Sequence, residues 1–381
     1  MSVPAATAAT MPRSGIREVM DLAWATPDCI HLEVGEPSFP TPAHIVEAVA
    51  DAVRTGWTKY VPNAGIGELR TALAEKIAVH NGFTVSPDQV IVTSGGIGAL
   101  FTAMLAAGEP GQGVLIPDPG WPNFAMIAQL HGLRAQPYHL RAEDGFLPTV
   151  EALAAAADAG TRVLILNSPS NPLGTITPAG RLRDILRFAA ERDLWVISDE
   201  CYDAITFDDT WTSTAAVGEQ DRVITVGTFS KTYAMTGMRV GYAVVPPVLS
   251  PVLAKLQEPT VACVNAAAQR GALAALRGPQ DEVRRMRDAY RERRDALAAL
   301  LDRLGVRYIR PAGAFYMWVE IADRADDAHT FAMELLRKRA VAVAPGTAFG
   351  ASGEGWVRLS LATDLDTLLE GARRLADFTL G

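Results

Sequence analysis

The chain has little lysine. Of its 35 basic residues only five are lysine, at Lys59, Lys76, Lys231, Lys255 and Lys338. A general bias toward arginine accounts for the scarcity, yet it shortens the list for any chemistry that needs an amine. Cysteine is scarcer still. Cys29, Cys201 and Cys263 are odd in number and far apart, which excludes a disulfide framework and a zinc-ligand pattern and suits a reducing cytoplasm. The six histidines are dispersed with no HExxH-type spacing, so no metal ligand is assigned. No segment runs 18 apolar residues, so no membrane span is expected. No basic tract stands out, and a net charge of -8 scattered over both signs argues against a nucleic-acid partner. Met1 to Met11 lacks both a charged region and a long apolar stretch. Residues 1–13 therefore read as a flexible tail, not a signal peptide. Repeats, low-complexity linkers and charge blocks are absent too.

What the chain does have is apolar content, 49% over 381 residues, enough for one large domain and a smaller one. Residues 14–26 and 41–56 carry helical patterning, with a short strand-like run from Ile30 to Val34 between them. From about residue 87 a regular alternation begins. Gln89–Thr93 is broken by Ser94-Gly95-Gly96 and followed by a helical stretch, Ala99 to Ala107. Val114–Ile116 ends at Pro117–Gly120, Arg162–Leu166 at Asn167-Ser168-Pro169, Leu194–Ile197 at Ser198-Asp199-Glu200, and Val223–Val226 at Gly227-Thr228; Arg239–Val245 is a further strand candidate. These runs are continuously apolar, which indicates strands buried on both faces of a mostly parallel sheet. Helical patterns such as Ala179–Asp193 lie between them, so the centre is α/β. Residues 250–305 are mostly helical. After them Val306–Ile309, Ala314–Ile321, a helix near 327–339, Val341–Ala344 and Trp356–Leu361 form a smaller α+β unit.

In such sheets ligands bind beyond the carboxyl ends of the strands, and the polar residues of interest fall there. Lys231 directly follows a strand candidate, in Gly227-Thr228-Phe229-Ser230-Lys231-Thr232. The other four lysines look ordinary: Lys76 and Lys255 on helical stretches, Lys338 in an Arg-Lys-Arg run, Lys59 after a loop. Partial desolvation at a strand end would lower the pKa of Lys231 and make it a nucleophile and base, although a surface lysine has the same look in isolation. Arg239 lies eight residues on, and with the Thr228 and Ser230 hydroxyls it makes a cluster suited to a phosphate monoester. Ser94-Gly95-Gly96-Ile97, between strand and helix, offers free backbone N–H groups for the same anion. Asp199 could cap a helix or pair with an arginine, or it could face a cofactor's ring nitrogen. Tyr202 follows three residues later. Asn171 sits in the two-proline turn Asn167–Gly174.

Together these stretches resemble the class I/II aminotransferases, fold type I enzymes that use pyridoxal 5'-phosphate. The resemblance is carried by Asn167–Gly174, Asp199-Glu200-Cys201-Tyr202, Thr228–Thr232 continuing through Gly237-Met238-Arg239-Val240-Gly241-Tyr242, Ser94–Leu100, Trp121-Pro122-Asn123 and Pro345–Gly350. It covers roughly residues 14 to 365, and the order and spacing of its motifs are more specific than any one of them. It implies a large cofactor-binding domain over 46–285, with a smaller domain built from 14–45 and 286–381.

The resemblance also implies roles. Lys231 would hold the cofactor as a Schiff base and carry the proton of the reaction. Asp199 would keep the pyridine nitrogen protonated, and Tyr202 and Asn171 would bond its phenolic oxygen. Trp121 would stack on the ring. Arg239, Ser230, Thr228, Gly95 and the amides of Gly96 and Ile97 would hold the phosphate. Tyr60 would reach the phosphate of a neighbouring subunit, implying a homodimer with shared sites. Arg358 would grip the substrate α-carboxylate, with the Gly35 backbone close by. The implied reaction moves an amino group from an amino acid to a 2-oxo acid; a lyase, decarboxylase or cyclopropane-forming synthase on the same cofactor is the alternative. Leu173 and Ile97 depart from the spelling of many relatives, and no second arginine is evidently placed to read a side-chain carboxylate. Residues near Ile16, Gly35–Phe39 and Asn123 are expected to shape the side-chain pocket.

Overall fold

The computed structural model describes residues 2–208 and 211–379; Met1 of the expected tail and the last two residues of the C-terminal unit lie outside them. In chain order the strands are β1 (Ile30–His31), β2 (Val90–Thr93), β3 (Gly113–Asp118), β4 (Arg134–His139), β5 (Thr161–Asn167), β6 (Trp195–Asp199), β7 (Val223–Thr228), β8 (Gly241–Val244), β9 (Tyr308–Ile309), β10 (Tyr316–Glu320), β11 (Val341–Ala342), β12 (Ala344–Pro345) and β13 (Trp356–Ser360).

Seven of them make one sheet, in the order β2-β8-β7-β6-β5-β3-β4. Every residue of β2, β3 and β8 is buried, which is why these segments read as unbroken apolar runs. β4 is different: it is a mostly exposed edge carrying Pro137 and Arg134, a composition that discourages further pairing. Helices cover both faces. Ala179–Glu191 buries Leu182, Ile185, Leu186 and Ala189, the spacing of one helical stripe.

The pairing decides what meets at one edge. β3 through β7 are mutually parallel, whereas β8 runs antiparallel to both β7 and β2. The carboxyl ends of β2, β5, β6 and β7 therefore share an edge, which collects Ser94, Asn167, Asp199 and Thr228. Because β8 is reversed, it is its amino end that reaches the same edge: Gly241 is in register with both Thr228 and Thr93. Arg239, two residues before, is delivered there. The strand candidate Arg239–Val245 is thus shorter than expected, and Arg239 itself has a left-handed backbone, φ 56°, turning the chain into β8.

A second, antiparallel sheet runs β12-β13-β10-β9, and β1 pairs parallel with β11. The strand expected over Ile30–Val34 is only two residues long, because the chain leaves β11 after Leu32, whose carbonyl accepts from Ser360 N. The long helix Asp281–Leu304 packs beside this sheet through Met286, Tyr290, Leu297 and Leu301. It starts with Asp281 and Glu282 and ends at Gly305 in the left-handed region, both favourable for the helix ends. Within the expected tail, Ala6–Ala9 forms one exposed helical turn. No helix among the described residues is long and apolar enough to cross a membrane.

Candidate active site

The shared strand edge opens into a cleft of about 460 Å³ between the large sheet, the loop after β1 and the strand β13. Gly35, Gly96, Ile97, Trp121, Asn171 and Asp199 line it, as do Tyr202, Thr228, Ser230, Lys231, Arg239 and Arg358. Gly95 lies directly beneath Arg239. Tyr60, expected at a phosphate, is elsewhere. It is 87% exposed on a separate surface hollow with Trp57, Cys263 and Asn265.

Lys231 sits in a single helical turn, Phe229–Thr232, capped by Thr228 Oγ1 accepting from Ser230 N. Its Nζ donates to the Gly35 carbonyl at 2.6 Å, a reach of 196 residues that joins the large sheet to the N-terminal segment. A Cβ at Gly35 would stand 2.8 Å from Tyr316 Oη, so any larger residue there has to push that hydroxyl aside.

Asp199, at the end of β6, is 4% exposed. Among the described residues its carboxylate accepts from Cys201 alone, the backbone N lying 3.2 Å from Oδ1, and burial pushes its pKa up. A buried carboxylate with so few donors is stabilised by a cation brought to it. Asn167 ties this strand end to its neighbour: its Oδ1 accepts from Asn171 N at 2.8 Å and its Nδ2 donates to the Asp199 carbonyl at 3.1 Å. Asn167 was part of a recognised motif, but only the parallel β5–β6 register, which sets it opposite Asp199, gives it this bracing position.

An anion cradle forms beside Lys231. The helix Gly95–Ala107 begins at the strand edge, four residues earlier than the sequence pattern indicates, and the Ser94 side chain does not cap it. Its first-turn N–H groups lack intrahelical acceptors. The Thr228 and Ser230 hydroxyls, 3.0 Å apart, and the Arg239 guanidinium complete the set. Arg239 is braced by Nη1 donating to Thr236 O at 2.7 Å. Gly95 is obligatory: φ is +71°, and a Cβ would meet Arg239 Nη2 at 2.5 Å.

Across the cleft, Arg358 on β13 is 2% exposed. Nη1 donates to Asn171 Oδ1 at 2.9 Å and Nη2 to the Glu33 carbonyl. Its Cζ lies 4.3 Å from the ring centroid of Tyr316 and 4.9 Å from that of Phe349. Nε has no partner, and among the described residues no carboxylate forms an ion pair with it. Burial pulls its pKa below the ordinary value, so an incoming carboxylate is the partner that would stabilise it. Tyr316, which sequence reasoning missed, also meets Tyr202, their hydroxyls 2.9 Å apart. No spacing marks it; only the fold of β10 against the cleft does.

Ile16, Gly35, Glu36 and Asn123 line the cleft as expected for the side-chain pocket. Phe39 instead packs edge-on against Tyr290. Lys76 departs from its ordinary appearance. It is largely buried, forms an ion pair with Asp203 and donates to Asn81 Oδ1 at 2.8 Å and Tyr242 Oη at 3.1 Å. Burial works against its charge, but Asp203 outweighs it and its pKa rises.

Together these residues fit a phosphorylated pyridine aldehyde: an amine to tether it, a buried acid for a ring nitrogen, an anion cradle, and the Trp121 ring on the wall. The family model for aminotransferase class I and II matches residues 27–375. The chain belongs to the class I/II aminotransferases. An aspartate aminotransferase of Thermotoga maritima is 36% identical over 92% of this chain and 91% of its own length. Among solved structures, an aspartate aminotransferase from Thermus thermophilus, determined with maleate, superposes with a TM-score of 0.94 at 36% identity, covering 99% of each chain. An aromatic aminotransferase from Pyrococcus horikoshii gives 0.89 at 36% identity, over 95% of this chain and 97% of that one. The aminotransferase thus has the fold type I architecture expected from its motifs, and pyridoxal 5'-phosphate is its cofactor. It transfers amino groups between amino acids and 2-oxo acids; the lyase, decarboxylase and synthase alternative is not favoured by its relatives.

Proposed function

We propose that the twelve cleft residues and Gly95 divide the transfer reaction as follows, the observation that carries the reading being a buried Arg358 with no carboxylate partner in the same cleft as Lys231 and Asp199. Arg358 and Asn171 grip the α-carboxylate of the amino acid, and the Tyr316 and Phe349 rings beside the guanidinium support it. Lys231 would tether the cofactor and move the proton at the substrate Cα. The bound cofactor supplies an electron sink for the charge left there. Asp199 holds the pyridine nitrogen protonated. Tyr202 and Asn171 bond the phenolic oxygen, and the Tyr316 hydroxyl orients that of Tyr202. Trp121 covers the ring face, while Arg239, Thr228, Ser230 and the first-turn amides at Gly95, Gly96 and Ile97 hold the phosphate.

The enzyme works in the cytoplasm as a homodimer with shared sites, in which Tyr60 reaches the partner's phosphate; the support is that Tyr60 is open to a second chain and the cysteines are free. Sedimentation of the purified protein and cofactor affinity of Tyr60→Phe test this. The transfer itself is tested by adding amino donors singly, without acceptor. Loss of the cofactor's visible absorbance is expected with the right donor. Release of ammonia or carbon dioxide without a 2-oxo acid would contradict it.

A further inference from the structure

Asp118 ends β3 in the larger sheet and has no part in the roles above. It is 5% exposed, and both oxygens of its carboxylate are engaged. Oδ1 accepts from Ser352 N at 3.1 Å, Oδ2 accepts from Ser352 Oγ at 3.1 Å, and His139 Nδ1 stands 3.1 Å from Oδ2. His139 is its register partner across β3 and β4. Ser352 is 234 positions away, in the loop between β12 and β13 of the smaller sheet. Gly350 in that loop has φ +129°, and a Cβ on it would stand 2.1 Å from Asp118 Oδ1. The loop thus approaches the carboxylate as closely as bare backbone allows. His139 Nδ1 also lies 2.9 Å from Ser352 Oγ. One ring nitrogen faces both the acid and the hydroxyl, so the three do not make a relay that could activate the hydroxyl. They make a joint between the two sheets.

The joint stands behind two walls of the cleft. Gly120 N donates to Phe349 O at 2.7 Å, so the same two loops are bonded a second time. Trp121 follows Gly120 and lines the cleft. The Phe349 ring is buried, edge-on to Trp318 with centroids 5.7 Å apart, and its centroid is 4.9 Å from Arg358 Cζ. One loop therefore carries the ring wall, and the other carries a support of the guanidinium. A carboxylate that takes two hydrogen bonds from one residue fixes direction as well as distance.

We propose that Asp118 is a positioning residue for the transfer reaction. By holding Ser352 it sets the separation of Trp121 from Arg358, and so the placement of the cofactor ring relative to the bound amino acid. The inference rests on the reading of Trp121 as the ring wall and of Arg358 as the α-carboxylate site. Asp118 does not itself line the cleft and acts through the two loops it joins.

The test compares wild-type, Asp118→Ala, Asp118→Asn and Ser352→Ala holoenzymes. For each it measures kcat and KM with one active amino donor, the circular dichroism of the bound cofactor's visible band, and the urea midpoint. For Asp118→Ala, kcat/KM falls about tenfold to a hundredfold, the scale of a misplacement of about 1 Å, and the dichroism of the cofactor band changes. Asp118→Asn keeps an acceptor for Ser352 N and stays within about threefold of wild type. Ser352→Ala keeps that N–H but loses the hydroxyl, and its kcat/KM falls about fivefold. A lower urea midpoint for Asp118→Ala with wild-type kinetics and dichroism would show that the joint serves stability alone and would overturn the proposal. So would an Asp118→Asn protein as impaired as Asp118→Ala. Should Asp118→Ala fail to fold, Ser352→Ala decides, and wild-type kcat/KM in that variant overturns the proposal. Trp121→Leu separates the two readings, since it should change the dichroism by itself. If it does not, the reading of Trp121 fails; if it does and Asp118→Ala does not, only the positioning role of Asp118 fails.

Discussion

Arg358 Nη1 donates to Asn171 Oδ1 at 2.9 Å, tying β13 of the smaller sheet to the turn that follows β5 of the larger. The two residues are 187 positions apart and both are buried. Nη2 donates to the Glu33 carbonyl as well, so protein groups brace both terminal nitrogens and hold the guanidinium in place at the cleft.

Removing the charge should therefore act on substrate more than on cofactor. Arg358→Gln is expected to lower kcat/KM for every amino donor by about a hundredfold or more, since truncating a buried charge partner costs 2–5 kcal/mol. The cofactor's absorbance spectrum should be unchanged. Asn171→Ala should cost roughly tenfold. Steady-state kinetics and cofactor titration on the same preparations check both.

Lys76 and Asp203 form a buried ion pair behind the site. Lys76→Met leaves the Asp203 carboxylate with only His80, 3.8 Å away, and should destabilise the fold by about 3 kcal/mol. A Lys76→Met, Asp203→Leu double variant should recover much of that loss. Urea unfolding of the three proteins measures it, and a double variant no better than the single would show that the charge is not the cause.

Glu200 is buried and accepts from Ser198, Ser213, Thr214 and Asn81, yet burial still pushes its pKa from 4.5 to about 7. The folded state thus keeps a proton that the unfolded chain releases. The resulting stabilisation is complete below about pH 4.5 and is lost as pH rises toward 7. Relative to Glu200→Gln, which cannot ionise, the wild type should lose roughly 2–3 kcal/mol between pH 4.5 and 7.5. A constant difference across that window would show that Glu200 ionises normally in the fold.

Gly95→Ala combines a positive φ with a contact on Arg239. Cofactor affinity should fall at least about tenfold while the fold survives. Fluorescence titration of the cofactor-free protein with pyridoxal 5'-phosphate reads this directly.

Much of the site was legible in the sequence because strand ends advertise themselves. Asp199, Thr228 and Lys231 each follow a continuous apolar run, and parallel strands put such ends on one edge. Arg239 was legible from its closeness in sequence to Thr228 and Ser230, but its arrival depends on β8 being reversed, which no local pattern encodes. Tyr316 carried no signal. It sits within an apolar segment and reaches the cleft through tertiary packing. Lys76 looked like a surface residue because its compensating acid, Asp203, is 127 positions away. Its burial is a property of the pair.

The central claim is that the amine of Lys231 performs the proton transfer. The most direct test is the half-reaction of Lys231→Ala, loaded with cofactor and mixed with the donor that bleaches the wild type. The account predicts that cofactor and donor still bind but that the rate of conversion falls at least about a hundredfold, the scale of a lost general base. Conversion at the wild-type rate would contradict it.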